Sequence, residues 1–468
     1  MTTGTREWVQ KVGGMMKKGL GSALLVVAAM AVGACSNASE ESKDTSVDTS
    51  TETTEAVAPG QRDEFVAITG VPGVTDEEIS YAVIGTKTNN PLGTCILDCF
   101  TEGIEAYFAY RNSEGGVYGR DLVVADVIDD ELTLNQQKSL EVASSSDYFG
   151  VFQATLFPAG WGLLNDDGIP TYTWGIHGAD AANRKAIFPS MIIRCETCTR
   201  PAMPYIASRV GAKNAASLGY GISETSKVCT QTIAASFDLY ESESGVANAY
   251  MNDNLAYGLP NGIGPEVTAM KAAGVDFIAT CMDLNGMKTL AQELDRQGMG
   301  DVVLYHPNSY DQTFVAENAA LFEGDLVTVG FRPFESTSDK GSKDEFLKWM
   351  EELGYQPNEL AMVGWISATQ VFDSLIAAGP EFNREKVISS FRAVKEYTAG
   401  GLLQPIDMST AYIPYVSGSP DAAAETQCES FVVIVGGKFE FLDDASKPWY
   451  CWAPGADAEF EPELVDFD

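Results

Sequence analysis

Short apolar runs alternate with segments of helical periodicity along this chain, and this alternation constrains its fold more than any other feature. The runs I-S-Y-A-V-I-G from Ile79, D-L-V-V-A-D-V-I-D-D from Asp121 and Y-F-G-V-F-Q from Tyr148 have the length and composition of strands. Between them, apolar residues recur at helical spacing over 95–111 and 133–144. A βαβαβ order of this kind predicts an α/β fold with a parallel sheet covered by helices on both faces.

A second series of the same kind follows. Strands are predicted over 215–221, 275–281 and 301–306, with helices over 224–237, 265–273 and 284–297. Later helices are predicted over 343–353, 362–378 and 384–394, before a hairpin F-V-V-I-V-G-G-K-F-E-F-L that turns at Gly436-Gly437. Single hydrophobic cores stop growing at roughly 250 to 300 residues. The 468-residue chain is therefore predicted to form two Rossmann-like α/β lobes.

The first 34 residues have the features of an export signal. Basic residues precede an apolar stretch from Leu20 to Val32, which is shorter than the ~20 residues that cross a bilayer as a helix. The stretch ends in V-G-A-C, which resembles a bacterial lipoprotein processing box in which the cysteine receives the lipid. We therefore expect a signal peptide over 1–34 and lipidation at Cys35. Ordinary signal cleavage without a lipid is the alternative.

A polar segment rich in Ser, Thr, Glu and Asp follows Cys35. It has too few apolar residues to offset chain entropy by burial, so residues 35–75 are predicted to be a disordered tether. Such a tether would hold a globular body near a membrane. An unordered terminus without a role has the same composition. The last residues, 456–468, form an acidic C-terminal tail in this interpretation.

The charge balance and the motifs exclude several classes of function. With 66 acidic residues against 30 basic ones, the net charge is −36, and the body of the chain has no basic stripe for nucleic acid. There is no G-x-S-x-G elbow, phosphate-binding loop or H-E-x-x-H motif. The chain has 2 histidines, and its paired acids, Asp129-Asp130 and Asp166-Asp167, are predicted to be solvated. We therefore predict that the protein is not an enzyme and has no metal or cofactor.

Eight cysteines remain after Cys35, an even number that suits disulfides in an exported protein. Eight cysteines allow 105 pairings. We predict that each cysteine pairs with its neighbour in the sequence. This prediction joins Cys95 to Cys99, Cys195 to Cys198, Cys229 to Cys281 and Cys428 to Cys451. A zinc knuckle or a redox pair at C-E-T-C is the rival interpretation, but no second C-x-x-C completes a zinc site.

Several stretches carry a family resemblance. The string F-T-E-G-I-E-A-Y-F-A-Y-R-N-S-E-G-G-V-Y-G-R-D-L from Phe100 resembles the first helix and second strand of type I solute-binding proteins, similar to the branched-chain amino acid-binding proteins of ABC importers. D-D-G-I-P-T-Y, A-L-F-E-G-D-L-V-T-V-G and F-D-S-L-I-A-A-G-P-E-F-N-R-E-K-V follow in the order of that family. The resemblance spans about 79–445 and rests on this order, not on one motif.

The resemblance implies two lobes joined by a hinge of three crossovers. It places lobe 1 at 76–200 plus 336–400 and lobe 2 at 201–335 plus 401–455. A small molecule would bind between the lobes, which close on it and pass it to ABC permease and ATPase subunits. We expect an extracytoplasmic, lipid-anchored monomer. A surface sensor of the same fold, or a structural lipoprotein that binds no ligand, remains open.

Ligands of open α/β sheets bind at the carboxyl ends of the strands. Thr155 follows the third strand, where the family commonly has a hydroxyl for the ligand carboxylate, and Thr155→Ala is expected to abolish binding without changing stability. Thr173 and Trp174 match the family's next carboxylate loop, although Trp174 is equally suited to the core. Tyr220 stands where relatives supply an aromatic ring. Thr94, like Asn90, would cap the first helix or contact ligand.

Recognition of an ammonium group is the main departure from the family. Amino acid-binding relatives have an acid after the strand that corresponds to D-V-V-L-Y-H, where this chain has His306 and Asn308. Asp283 or Asp311 would have to substitute, because a buried ammonium requires a carboxylate. The ligand is accordingly expected to be an amino acid or a related amide or carboxylate, with the α-amino acid in doubt.

Overall fold

The computed structural model describes residues 64–307, 309–420, 426–454 and 459–468. The predicted signal peptide, Cys35, most of the predicted tether and Asn308 lie outside these ranges. Within them the chain forms two separate sheets, each with its own helices. We call the units built on these sheets lobe 1 and lobe 2. The α/β fold predicted from the alternating pattern is confirmed.

Lobe 1 contains a parallel sheet with the strand order β2-β1-β3-β4-β5. Its strands are β1 (Glu78–Gly85), β2 (Asp121–Asp129), β3 (Gly150–Ala154), β4 (Thr171–Thr173) and β5 (Ile187–Pro189). Successive residues of a strand point to opposite faces, so Tyr81 and Val83 enter one core cluster whereas Ala82 and Ile84 enter another. Both faces of β1 are therefore covered, which explains why this strand is an apolar run without polar alternation.

The helices of lobe 1 come from two parts of the chain. They are α1 (Leu97–Ser113), α2 (Asn135–Ala143), α3 (Trp161–Asp166) and α4 (Gly178–Ala181), followed much later by α12 (Lys343–Leu353), α13 (Glu359–Ala378) and α14 (Arg384–Phe391). Helices α1 and α13 approach each other at glycines. A Cβ added to Gly364 would lie 2.0 Å from the backbone oxygen of Phe100, and one at Gly103 would lie 1.8 Å from that of Ala361. The glycines thus allow backbone contact between the two helices.

Lobe 2 contains a sheet with the order β14-β13-β11-β10-β9-β8-β6-β7, and β12 pairs with β11. Its strands are β6 (Asn214–Tyr220), β7 (Ala247–Leu255), β8 (Phe277–Cys281), β9 (Val303–His306), β10 (Leu326–Val329), β11 (Gln427–Val435), β12 (Lys438–Phe441), β13 (Trp449–Trp452) and β14 (Glu463–Val465). Strands β6 to β10 are parallel to one another, whereas β11 to β14 pair antiparallel. The predicted hairpin is β11 and β12.

The helices of lobe 2 lie between its parallel strands or just before them. They are α5 (Ala202–Arg209), α6 (Glu224–Leu239), α7 (Glu241–Ser244), α8 (Gly264–Ala272), α9 (Leu284–Arg296), α10 (Gln312–Glu317) and α11 (Ala319–Phe322). The chain passes between the lobes three times, after β5, after β10 and after α14. We number these connections crossover 1, crossover 2 and crossover 3.

The four disulfides join Cys95 to Cys99, Cys195 to Cys198, Cys229 to Cys281 and Cys428 to Cys451. These are the pairs predicted from proximity in the sequence. The bond from Cys229 to Cys281 ties α6 to the carboxyl end of β8. The bond from Cys428 to Cys451 joins opposite residues of β11 and β13.

The capping role for Asn90 or Thr94 and the solvation of Asp130 are wrong, whereas ligand contact by Thr94 stays a prediction. Neither Asn90 nor Thr94 caps α1, because its N-cap residue is Ile96 and the Cys95 sulfur occupies the first turn, 3.1 Å from the amide nitrogen of Cys99. Asn90 instead closes its own loop by donating to the Thr94 oxygen. Asp130 is not solvated. Its side chain is fully buried, and its carboxylate accepts hydrogen bonds from the Thr155 hydroxyl after β3 and from the backbone N–H of Leu132.

The acidic C-terminal residues are part of lobe 2 where the structure describes them. Strand β14 pairs with β13, placing Leu464 opposite Tyr450. The indole Nε1 of Trp452 donates to the backbone oxygen of Phe460 at 2.8 Å. We predicted a tail because this segment is rich in acidic residues. Its apolar residues Leu464, Val465 and Phe467, however, pack against core residues of lobe 2.

Candidate functional site

The loops that follow the strands of lobe 1 meet lobe 2 across a cleft. Gly93, in the loop after β1, lies against the first turn of α9, where an added Cβ would be 2.4 Å from Asn285 Nδ2. Near the hinge, the Glu359 carboxylate at the start of α13 accepts a hydrogen bond from the backbone N–H of Tyr310 in lobe 2. These loops follow the carboxyl ends of the strands, the edge at which open α/β sheets bind ligands.

Thr155 lies in a buried polar network behind the cleft wall of lobe 1. Its hydroxyl donates to the Asp130 carboxylate, and its backbone oxygen is 2.9 Å from His177 Nε2. Burial lowers the pKa of His177. Asn135 belongs to the same network, bonded to Gln153 at 2.8 Å. The hydroxyl that we predicted to grip a ligand therefore already has an internal partner.

Three other polar groups at the same edge of lobe 1 have no hydrogen-bond partner among the described residues. They are Thr173 Oγ1 at the end of β4, Trp174 Nε1 just after it, and Ser190 Oγ just after β5. All three side chains are buried. Buried polar atoms of folded proteins are almost always paired, so an unpaired group in a cleft wall is suited to a ligand or a bound water. Thr173 and Trp174 are among the predicted site residues.

In lobe 2, the predicted site residues Tyr220 and Asp283 contact each other directly. The Tyr220 hydroxyl donates to Asp283 Oδ2 at 2.7 Å, while Asp283 Oδ1 accepts the backbone N–H groups of Asn285 and Gly286 as the N-cap of α9. Burial and the Asp283 charge raise the pKa of Tyr220. Both Asp283 oxygens thus accept hydrogen bonds from within lobe 2. The nearby Tyr257 hydroxyl has no hydrogen-bond partner among the described residues. Its ring centroid is 5.0 Å from that of Tyr220.

The remaining predicted residues have other surroundings. His306 is buried in lobe 2, where its Nε2 is 2.8 Å from Asp325 Oδ2 and its ring packs edge-on against Phe322. Burial raises the pKa of Asp325, and the hydrogen bond with His306 opposes this effect. Asp311 caps α10 by accepting the N–H of Phe314. Thr94 lies in the same loop as Gly93, beside the contact with Asn285.

Two large apolar side chains are exposed in loops at the carboxyl edges of the sheets. Phe157 follows β3 and is 56% exposed, and Ile222 follows β6 and is 81% exposed. The other aromatic residues near the predicted site, including Phe152, Tyr172 and Tyr305, are buried in the cores. These exposed side chains provide the loops with apolar surface.

Glu359 is an acid that our sequence reasoning did not select. Burial raises its pKa from the ordinary 4.5 to about 7, the Asp311 charge adds to this effect, and the Tyr310 N–H opposes it. No sequence pattern pointed to Glu359, because it begins a helix whose start we predicted three residues too late.

Ser190 and Tyr257 were also missed, although both follow strands. Ser190 follows β5, which has only three residues and ends in proline. Tyr257 follows β7, whose sequence A-N-A-Y-M-N-D-N-L has too many polar residues for an apolar-run rule to find.

Two features of the described ranges bear on other functions. No group of three or more His, Cys, Asp or Glu side chains is placed there to hold a metal ion. One helix, α13, is long and apolar enough to cross a membrane, and 83% of its apolar 18-residue window is buried inside the fold. It packs on α1, so it is the central helix of lobe 1.

Solved structures of similar fold are solute-binding proteins. A branched-chain amino acid ABC transporter protein from Thermus thermophilus with bound valine has 14% identity and a TM-score of 0.61, covering 79% of this chain and 96% of its own. LivJ from Streptococcus pneumoniae in complex with isoleucine has 15% identity, a TM-score of 0.60 and coverages of 78% and 98%. A solute-binding protein from R. palustris in complex with benzoate has 15% identity, a TM-score of 0.60 and coverages of 83% and 99%.

The family comparison agrees with the two-lobed fold. No curated protein matches the chain. The sequence profile described as "Periplasmic binding protein" matches residues 96–413, which is more than half of the chain and includes parts of both lobes. The chain belongs to the periplasmic binding protein family, in the type I group similar to the branched-chain amino acid-binding proteins.

Proposed function

We propose that the protein is a lipid-anchored extracytoplasmic receptor that closes its two lobes on a small molecule and delivers it to an ABC permease. The observation that carries this proposal is the set of buried, unpaired polar atoms at the facing edges of the lobes. Thr173, Trp174 and Ser190 supply them in lobe 1, and Tyr257 supplies one in lobe 2. Groups of this kind are stabilised when a ligand completes their hydrogen bonds.

The ligand that fits these walls is a small carboxylate or amide with an apolar body. Hydroxyl and indole N–H groups donate to a carboxylate or amide oxygen. At the position where relatives place an acid for the ammonium group, this chain has His306, which is bonded to Asp325. Asp283 already accepts hydrogen bonds from the Tyr220 hydroxyl and from the start of α9. An apolar body matches the exposed Phe157 and Ile222. Structural neighbours hold valine, isoleucine or benzoate, so both ligand classes occur on this fold.

A thermal-shift screen tests ligand binding. Benzoate, aliphatic carboxylates and their amides are compared with valine, isoleucine and leucine. A ligand at a hundredfold excess over its dissociation constant stabilises the folded state by about 2.7 kcal/mol. We expect carboxylates or amides to raise the melting temperature more than the matching amino acids. Failure of every compound to shift the melting temperature would contradict the proposed ligand class.

Two variants locate the binding site in the same screen. Ser190→Ala and Trp174→Phe each remove one unpaired donor and keep most of the side-chain volume. We expect both to reduce the ligand-induced shift, because the ligand loses a hydrogen bond worth about 1 kcal/mol. Ser389→Ala, at an exposed position of α14, is the control. Unchanged shifts in both cleft variants would place the ligand elsewhere.

Anchoring and delivery are tested in the native host. We propose lipidation at Cys35 after removal of 1–34, and a tether over 35–75. We propose that lobe 1 comprises 76–200 plus 336–400 and that lobe 2 comprises 201–335 plus 401–455, to which 459–468 are joined through β14. Cys35→Ser should release the protein from the membrane fraction. Deleting the gene should reduce uptake of the labelled ligand, whereas normal uptake with an altered response to the ligand would indicate a sensor.

A further inference from the structure

Residues 459–468 contact the hinge between the lobes. We call this segment the C-terminal strap. It is attached to lobe 2 through β14, which pairs with β13, and β13 is bonded to β11 by the disulfide from Cys428 to Cys451. Beyond β14 the strap leaves the sheet and contacts two of the three crossovers.

Arg332, in crossover 2, is the centre of these contacts. Its side chain is fully buried, and its Nη1 is 2.6 Å from Asp466 Oδ1. Its Nη2 donates to the backbone oxygen of Phe467, and its Nε donates to that of Gly401 in crossover 3 at 2.9 Å. The buried guanidinium of Arg332, which is part of crossover 2, therefore bonds both to the strap and to crossover 3.

Further contacts fix crossover 2 on either side. The Ser338 hydroxyl donates to the second Asp466 oxygen at 2.7 Å, and Lys340 Nζ is 3.2 Å from Asp468 Oδ1. In the loop before β13, the Ala445 oxygen accepts the N–H of Thr337 at 3.0 Å. Both Asp466 oxygens are thus engaged by crossover 2.

Crossover 3 is held against crossover 2 at the same place. The N–H of Arg332 donates to the Leu402 oxygen at 2.8 Å, and that of Ser342 donates to the Gly400 oxygen at 2.9 Å. Gly401 has a φ of 79°, and a Cβ there would lie 3.1 Å from the backbone carbon of Asp468. The end of the chain is therefore packed directly on crossover 3.

We propose that the C-terminal strap is a positioning element of the hinge, in which Asp466, through buried Arg332, restrains crossovers 2 and 3 and so sets the range of lobe orientations. The proposal rests on hinge closure in the proposed function. Hinges are a few residues that absorb the backbone rotation of domain closure. A buried ion pair that bridges two such segments opposes independent rotation of either one. Releasing it should widen the distribution of lobe orientations before any ligand binds.

The test measures lobe orientation without ligand. Nitroxide labels are attached at Leu140→Cys in α2 and Leu239→Cys in α6, which are exposed sites on different lobes. The full chain carries Cys35→Ser so that it stays in solution. Double electron–electron resonance then gives the distance distribution between the labels. We expect Asp466→Asn to broaden this distribution and to speed hydrogen exchange over 330–342, since the ion pair is lost while the side-chain shape is kept.

The controls separate hinge restraint from a general loss of stability. Glu463→Gln removes an exposed charge from the same segment and should leave the distribution unchanged. Ser338→Ala removes one hydrogen bond to Asp466 and should broaden the distance distribution less than Asp466→Asn does. If Asp466→Asn unfolds, Ser338→Ala provides the test in its place. Wild-type distributions in folded Asp466→Asn and in folded Ser338→Ala would overturn the proposal. Because no ligand is present, this outcome is independent of the ligand screen.

Discussion

At the residue scale, side chains that follow the strands of lobe 1 divide into two groups. Thr155 has a buried partner of its own, whereas Thr173, Trp174 and Ser190 have unpaired polar atoms. All stand at the carboxyl edge of one sheet, and position in the sequence does not separate them. The partner of Thr155 is Asp130, from a different loop, so the difference depends on how the strands pair.

The contact with Asp130 changes our expectation for Thr155→Ala. Removing the hydroxyl leaves a buried carboxylate short of one donor, which costs about 1 to 3 kcal/mol. We therefore predict a lower melting temperature for the unliganded variant, measured by calorimetry. Thr155→Ser keeps the hydroxyl and should remain close to the wild type. An unchanged melting temperature for Thr155→Ala would show that the hydroxyl is free to bind a ligand, as the sequence comparison implied.

Glu359 predicts a pH-dependent stability. Its pKa is raised from 4.5 to about 7, so the folded state binds this proton more tightly than the unfolded state does. The stabilisation from this proton is complete below about pH 4.5 and is lost as the pH rises through about 7. We predict that Glu359→Gln raises the melting temperature, relative to the wild type, more at pH 8 than at pH 4.5.

The control for this pH series is Glu351→Gln, which removes an exposed acid from the neighbouring helix α12. Its difference from the wild type should vary little with pH. Calorimetry of the three proteins at pH 4.5, 6 and 8 supplies the comparison. A pH-independent difference for Glu359→Gln would mean that the Glu359 carboxyl titrates normally.

At the element scale, apolar content decided which parts of the fold were predictable. Strands β1 and β3 are buried on both faces and appear in the sequence as apolar runs. Strand β7 lies at the edge of its sheet and has a polar sequence, so nothing marked it as a strand. The start of α1 was displaced because the disulfide from Cys95 to Cys99, and not a polar cap, forms its first turn.

The contact between α1 and α13 predicts a severe effect for one small substitution. Gly364→Ala would place a methyl group 2.0 Å from the Phe100 oxygen, so the helices must separate. Overpacking of this kind costs about 1 to 3 kcal/mol or more. We predict that Gly364→Ala lowers the free energy of unfolding, measured in urea, by that amount. The loss will be larger the less α13 can move away from α1.

The matched control is Gly162→Ala in α3. Its nearest neighbour would be the flexible end of Arg184 at 3.4 Å, so the added methyl is accommodated. A helical glycine replaced by alanine gains up to about 1 kcal/mol. Equal effects of the two substitutions would show that α1 and α13 are not in backbone contact at Gly364.

At the scale of the whole molecule, the order of the elements was enough to predict two α/β lobes, because it fixes which strands are parallel. The hinge was harder to predict. Arg332, Gly401 and Asp466 are far apart in the sequence, and an acidic run at the end of a chain usually indicates solvated residues. Sequence alone also could not show which polar groups of the cleft remain unpaired, since pairing depends on contacts between distant loops.

Closure of the lobes on a small molecule is the central claim. Small-angle X-ray scattering of the Cys35→Ser chain, with and without the strongest ligand from the thermal screen, tests it most directly. Rotation about the three crossovers should make the liganded protein more compact, and we predict a smaller radius of gyration at saturation that returns to its starting value after dialysis. A radius of gyration that stays the same while the ligand is bound would contradict hinge closure.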